Sequence, residues 1–150
     1  MGIDQDILQS KFRNEHQKAT LNLLYTSNWI TERTKELFAT EDITPQQFNI
    51  LRILRGSHPQ PLSTLQIRER MLDKMSDTSR IVDRLIAKGV VKKAICKDDR
   101  RLVDVMITDK GRKLLERLDA RQDEMDSIIG NLSKKEAAVL SELLDKIRNK

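Results

Sequence analysis

Residues 97 to 111 read KDDRRLVDVMITDKG. Lys97, Asp98, Asp99, Arg100 and Arg101 stand side by side, and a partly alternating apolar run follows. Guanidinium and ammonium groups at this density do the chemistry of anion recognition, through charge-assisted hydrogen bonds to phosphate or carboxylate oxygens. The rest of the chain offers little for catalysis. His16 and His58 lie far apart without companions that would complete a metal site. No Ser-His-Asp set, glycine-rich phosphate loop or zinc spacing occurs. An enzyme is therefore not expected, and neither is a cofactor or a metal.

The positive charge is concentrated. Ser79 to Arg101 holds eight basic and three acidic residues, an excess equal to the +5 formal charge of the whole chain. A basic segment in an otherwise balanced protein points to a polyanionic partner, although a solvated face can carry such a cluster with no ligand. Cys96 is the one cysteine, which excludes an internal disulfide; at a strand end it reads as a small packed side chain. No apolar run is long enough to cross a bilayer, and the N-terminus lacks the pattern of a signal peptide. The expected location is the cytoplasm.

The elements that must position these residues follow from periodicity and capping. Leu8, Phe12, Ala19, Leu23, Ile30 and Leu37 recur at helical spacing, predicting one long helix over the first forty residues. Leu21, Tyr25 and Trp29 form a second stripe, so this helix is packed on two sides. Thr44 with Gln47, and Ser63 with Gln66, are capping boxes that start two further helices; Pro45 fits the first helical position. Ser76 is a candidate cap for a third helix that ends at Gly89. VVKKAIC and LVDVMI then read as two short strands joined by Lys97–Arg101. Thr108 caps a helix running through Leu114, Leu118 and Met125 to Ile129, and Ser133 with Glu136 starts the last one. The fold class is mainly α with a two-stranded β wing: a winged helix-turn-helix flanked by helices at both termini. Residues 41-108 form the winged lobe, and 1-40 with 109-150 a helical dimerisation lobe.

SDTSRIVDRLIAKGVVKK followed by DDRRLVDVMITDKG resembles the MarR family of bacterial winged-helix regulators. The most specific element is the wing signature: Asp99, Arg101, five residues, then Ile107-Thr108 and Gly111, with Ile where the family has Leu. The likeness covers about residues 43 to 118. One departure is RERMLDKMSD, which joins the second and third helices of the winged lobe without a glycine. The resemblance implies a homodimer that binds double-stranded DNA. It assigns Arg101 to the minor groove, with Asp99 holding it extended and Lys97 and Arg100 left for phosphates. It also implies a small aromatic ligand between the two lobes, for which Tyr25 and Trp29 are candidates; subunit packing is the plainer reading of both.

On the third helix, Thr78, Ile81, Val82, Leu85 and Ile86 fall on one side and should pack inward. Ser76, Ser79, Arg80, Asp83 and Arg84 face the other way. Asp77, Ser79 and Arg80, at the leading turn, are the candidates for base contact, since Arg can pair two hydrogen bonds with guanine. Ser76 is a cap or a phosphate contact. Arg84 is a phosphate contact or a structural partner of neighbouring acids. The rival expectation is a winged-helix protein-interaction module that touches no nucleic acid.

Overall fold

The computed structural model describes residues 2–95 and 103–149. They form two compact units, Met1–Glu116 and Arg117–Lys150.

In the first unit, α1 (Ile3–Asp6) is separate from α2 (Glu15–Ala39). The single N-terminal helix expected from periodicity is thus divided. Leu8 adopts a left-handed φ of 53°, and Asn14 caps α2 by accepting the Gln17 N–H at 2.9 Å. α3 (Pro45–Ser57) begins at the Thr44 capping box, with both reciprocal bonds at 3.1 Å. Phe38 of α2 stacks on Phe48 of α3, ring centroids 4.3 Å apart. β1 (Leu62–Ser63) leads into α4 (Thr64–Arg70), where Ser63 and Gln66 form the second box. α5 (Thr78–Ala87) ends at Gly89, whose φ of 73° is a left-handed conformation that glycine adopts without steric cost.

β2 (Val91–Ile95) and β3 (Val103–Ile107) pair antiparallel, from Val91 opposite Ile107 to Ile95 opposite Val103. The expected two-stranded wing gains a third strand, because Leu62 and Ser63 of β1 pair with Val105 and Asp104. The sheet order is β1-β3-β2. The core beneath it is apolar: Ile50, Leu51, Leu54, Ile67, Leu85, Val91, Val105 and Leu115 are each almost fully buried.

α6 (Asp109–Asp119) starts where the wing ends. Thr108 Oγ1 donates to the Gly89 carbonyl at 2.7 Å and accepts the Gly111 N–H at 3.2 Å. Gly111 is required here by contact, since a Cβ would lie 2.3 Å from the Val90 carbonyl oxygen and 2.7 Å from Ile107 Cγ1. The Thr108-x-x-Gly111 stretch is therefore a joint between the wing, the end of α5 and the start of α6.

The helix expected to run on to Ile129 is interrupted at Ala120 and Arg121, and α7 (Gln122–Ser127) follows as a separate helix. Arg121 turns its guanidinium onto Glu124, at 2.9 Å from Nε, which ties the start of α7. α8 (Lys134–Arg148) begins at the Ser133–Glu136 box. The Ser133 backbone N–H holds the Glu136 carboxyl below its ordinary range, so the box forms with an ionised acid. Neither α7 nor α8 buries a residue, and Val139, Leu140, Leu143 and Ile147 stand exposed along α8.

The joint yields a prediction. Gly111→Ala must displace backbone and should destabilise the protein by about 1–3 kcal/mol. Thr108→Val keeps the shape and loses both bonds, for a loss of about 1–2 kcal/mol. Urea unfolding of the two variants checks this; parental stability in both would contradict the joint.

Candidate nucleic-acid interface

α5 turns the two sides expected of it in different directions. Thr78, Val82 and Leu85 are buried, Ile81 and Ile86 are half-buried, and Ser79, Arg80, Asp83 and Arg84 are exposed. A helix seated on a core by one stripe can offer the other to a partner.

The cap corrects the expectation for Ser76. Asp77 is the N-cap, its Oδ1 accepting the Arg80 N–H at 3.2 Å. Asp77 has the non-helical backbone that a cap needs, while Ser76 belongs to the preceding turn, its N–H bonded to the Asp73 carbonyl at 3.3 Å. The hydroxyls of Ser76 and Thr78 are buried with no hydrogen-bond partner among the described residues.

That preceding turn dispenses with glycine. Met71 is buried, and the Leu72 N–H donates to Asn49 Oδ1 at 2.9 Å from across the fold. Asp73 Oδ1 then accepts the Met75 N–H at 2.9 Å. Asn49, itself buried in α3, fixes the register of RERMLDKMSD relative to the core. The local pattern marks only an Asn within an apolar helix, and its partner lies 23 residues away.

Open grooves border this turn, among them two that matter here. The first has a volume of about 530 Å³ and lies between the leading turns of α4 and α5, lined by Leu65, Arg68, Met75, Ser76, Asp77 and Ser79 among others. It joins three sequence candidates, Ser76, Asp77 and Ser79, to residues of α4 that the sequence reading passed over. The second, about 500 Å³, is lined by Ser27 and Thr31 of α2, Pro45, Gln46 and Asn49 of α3, and Met71 to Asp73. Tyr25 and Trp29 are not among its lining residues. They sit two residues from Ser27 and Thr31, which at about 3.6 residues per turn puts them on the opposite side of α2. Both are partly exposed, and the Arg33 guanidinium lies 5.5 Å from the Trp29 ring centroid.

Of the basic segment, Lys92 and Lys93 on β2 are exposed. Lys88 pairs at the surface with Asp42, 3.3 Å from Oδ2, and its carbonyl accepts from Lys110 Nζ at 2.8 Å. Lys97, Asp99, Arg100 and Arg101 lie outside the described residues, as does Cys96. Among the described residues no helix is long and apolar enough to cross a membrane, and no group of His, Cys, Asp or Glu is arranged to hold a metal ion.

Residues 43–103 match the profile of the MarR family. A MarR transcription factor from Planctomyces limnophilus is 32% identical, and the superposition covers 90% of this chain and 98% of that one with a TM-score of 0.68. The chain belongs to the MarR family. Members of this family are transcription regulators with a winged-helix fold, not enzymes. A cysteine-to-serine mutant of MarR from E. coli, solved in complex with operator DNA, is 25% identical, with a TM-score of 0.80 over 92% of this chain and 99% of that one. The HTH-type transcriptional regulator MhqR of Bacillus subtilis is 29% identical over 106 residues, 70% of this chain and 72% of its own.

Proposed function

We propose that this MarR-family protein is a homodimeric, sequence-specific regulator that binds a pseudo-palindromic operator in the cytoplasm and is a repressor relieved by a small-molecule ligand. The observation that carries the DNA-binding reading is α5. Its buried stripe anchors it while Ser79, Arg80 and Arg84 stand exposed beside a groove shared with α4. The related E. coli MarR mutant was solved with operator DNA, which supports the same use here. Ser79 and Arg80 then contact base edges, Asp77 orients the leading turn and faces the bases, and Arg84 lies toward the backbone, while Ser76, its hydroxyl buried, supports the turn before α5. Arg101 enters the minor groove, held extended by Asp99, while Lys97 and Arg100 meet phosphates.

The dimer reading rests on uncovered apolar faces. α2 exposes Leu23, Leu24, Tyr25 and Trp29, and α8 exposes Val139, Leu140, Leu143 and Ile147. Patches of this kind mark association surfaces in soluble proteins. A second copy covers both, so that 1-40 and 109-150 serve assembly and 41-108 serves DNA. Tyr25 and Trp29 fall to this packing role. The ligand reading moves to the groove lined by Thr31, Gln46, Asn49 and Leu72, whose occupant would press on the Asn49–Leu72 bond that sets the helix-turn-helix register.

Two measurements check these readings. Arg80→Ala should weaken a selected operator by about 1–3 kcal/mol and relax one base position in each half-site. Equal weakening on random duplex would reduce Arg80 to a phosphate contact, and no duplex binding by the parent protein would favour an interaction module. Sedimentation velocity at micromolar protein should give a dimer; a compact folded monomer would contradict the assembly.

A further inference from the structure

The groove between α4 and α5 has an unexpected lining for a surface that meets a polyanion. Leu65 is 65% exposed and Met75 92% exposed, and both line it. Neither serves the core, a task that Ile67 and Met71 perform for this part of the fold. Nor does Met75 stand on a loose segment, since its N–H is bonded to Asp73. Asp77, also on the groove, is fixed by its capping bond to Arg80 N–H.

A phosphate is a poor occupant for this site. Arg68, Thr64 and Ser79 on the groove could bond one, but it would leave Leu65 and Met75 without an apolar partner and would meet the carboxylate of Asp77. A base edge is a better one, because the major-groove edge of a natural base pair carries one apolar group, the 5-methyl of thymine, next to hydrogen-bonding atoms. Arg68 on the groove and Arg80 beside it supply the charge that draws a duplex to this face. We infer that Leu65 and Met75 form an apolar cleft that reads a thymine methyl group in each half-site, so that α4 shares in specificity with α5. The inference rests on the reading that α5 enters the major groove, and it assigns a determinant to residues outside that helix.

The cleft makes the contact through a single methyl, and deoxyuridine removes that methyl while leaving base pairing intact. Duplexes selected from genomic fragments by the full-length protein are resynthesised with deoxyuridine replacing one thymine at a time. The parent protein should bind one or two of these per half-site about four-fold more weakly, the worth of one buried methyl-sized group. Leu65→Asn and Met75→Gln should bind the thymine and deoxyuridine duplexes alike while keeping a preference for the selected site over random duplex. Both side chains are exposed, so thermal unfolding should match the parent. If every deoxyuridine duplex binds within about two-fold of its thymine counterpart, the cleft reads no methyl, while selective binding of the site upholds the DNA reading. A deoxyuridine penalty that persists in both variants also overturns the inference. If no duplex is selected, the DNA reading fails and takes this one with it.

Discussion

A single hydroxyl sets the geometry on which the rest of the winged lobe depends. Thr108 Oγ1 closes the end of α5 through the Gly89 carbonyl and opens α6 through the Gly111 N–H. The Thr108 N–H donates to the Val90 carbonyl at 3.1 Å, and the Val90 N–H to Leu85 at 3.2 Å, so the backbone follows the same path. Around this point meet the last turn of α5, the root of both wing strands and the first turn of α6. None can shift by much without breaking a bond or meeting the Val90 carbonyl that Gly111 only just clears. A reading head must keep its helix and wing in fixed relation, because base contacts tolerate little misplacement. The joint provides that relation at the end of α5 farthest from its leading turn.

The leading turn is held by a second, independent tether. Asn49 reaches from the buried face of α3 to the backbone of Leu72, and Asp73 and Asp77 each bond a backbone N–H further along. A buried amide that bonds a backbone N–H of the turn substitutes for the tight glycine turn this chain lacks. It also ties the turn to a groove that α2 helps to line.

Much of this was legible in the sequence where the determinant is local. The boxes at Thr44, Ser63 and Ser133 each depend on a partner three residues away, and each forms. Gly89 and Gly111 act within a turn of where they stand. The apolar stripe of α5 is a strict periodicity, and the exposed Ser79 and Arg80 follow from it. Features that failed were of two kinds. Ser76 and Asp77 are adjacent residues of equal capping competence, and a one-residue difference in helix start lies below the resolution of pattern. β1 is two residues long, too short to alternate, and exists because β3 offers it an edge. Asn49, Leu65 and Met75 owe their roles to what other segments cover or leave bare, which no window of sequence contains. The Lys97–Arg101 tip remains an expectation from charge and resemblance.

Two copies of this head on one duplex, as proposed, would leave a paired footprint. Hydroxyl-radical footprinting of the full-length protein on a selected duplex tests it most directly. Two protected segments with centres about one helical turn apart, 10–10.5 base pairs or a whole multiple, are the predicted result. Protection of a single isolated segment, or of none at concentrations where the protein is folded, would contradict it.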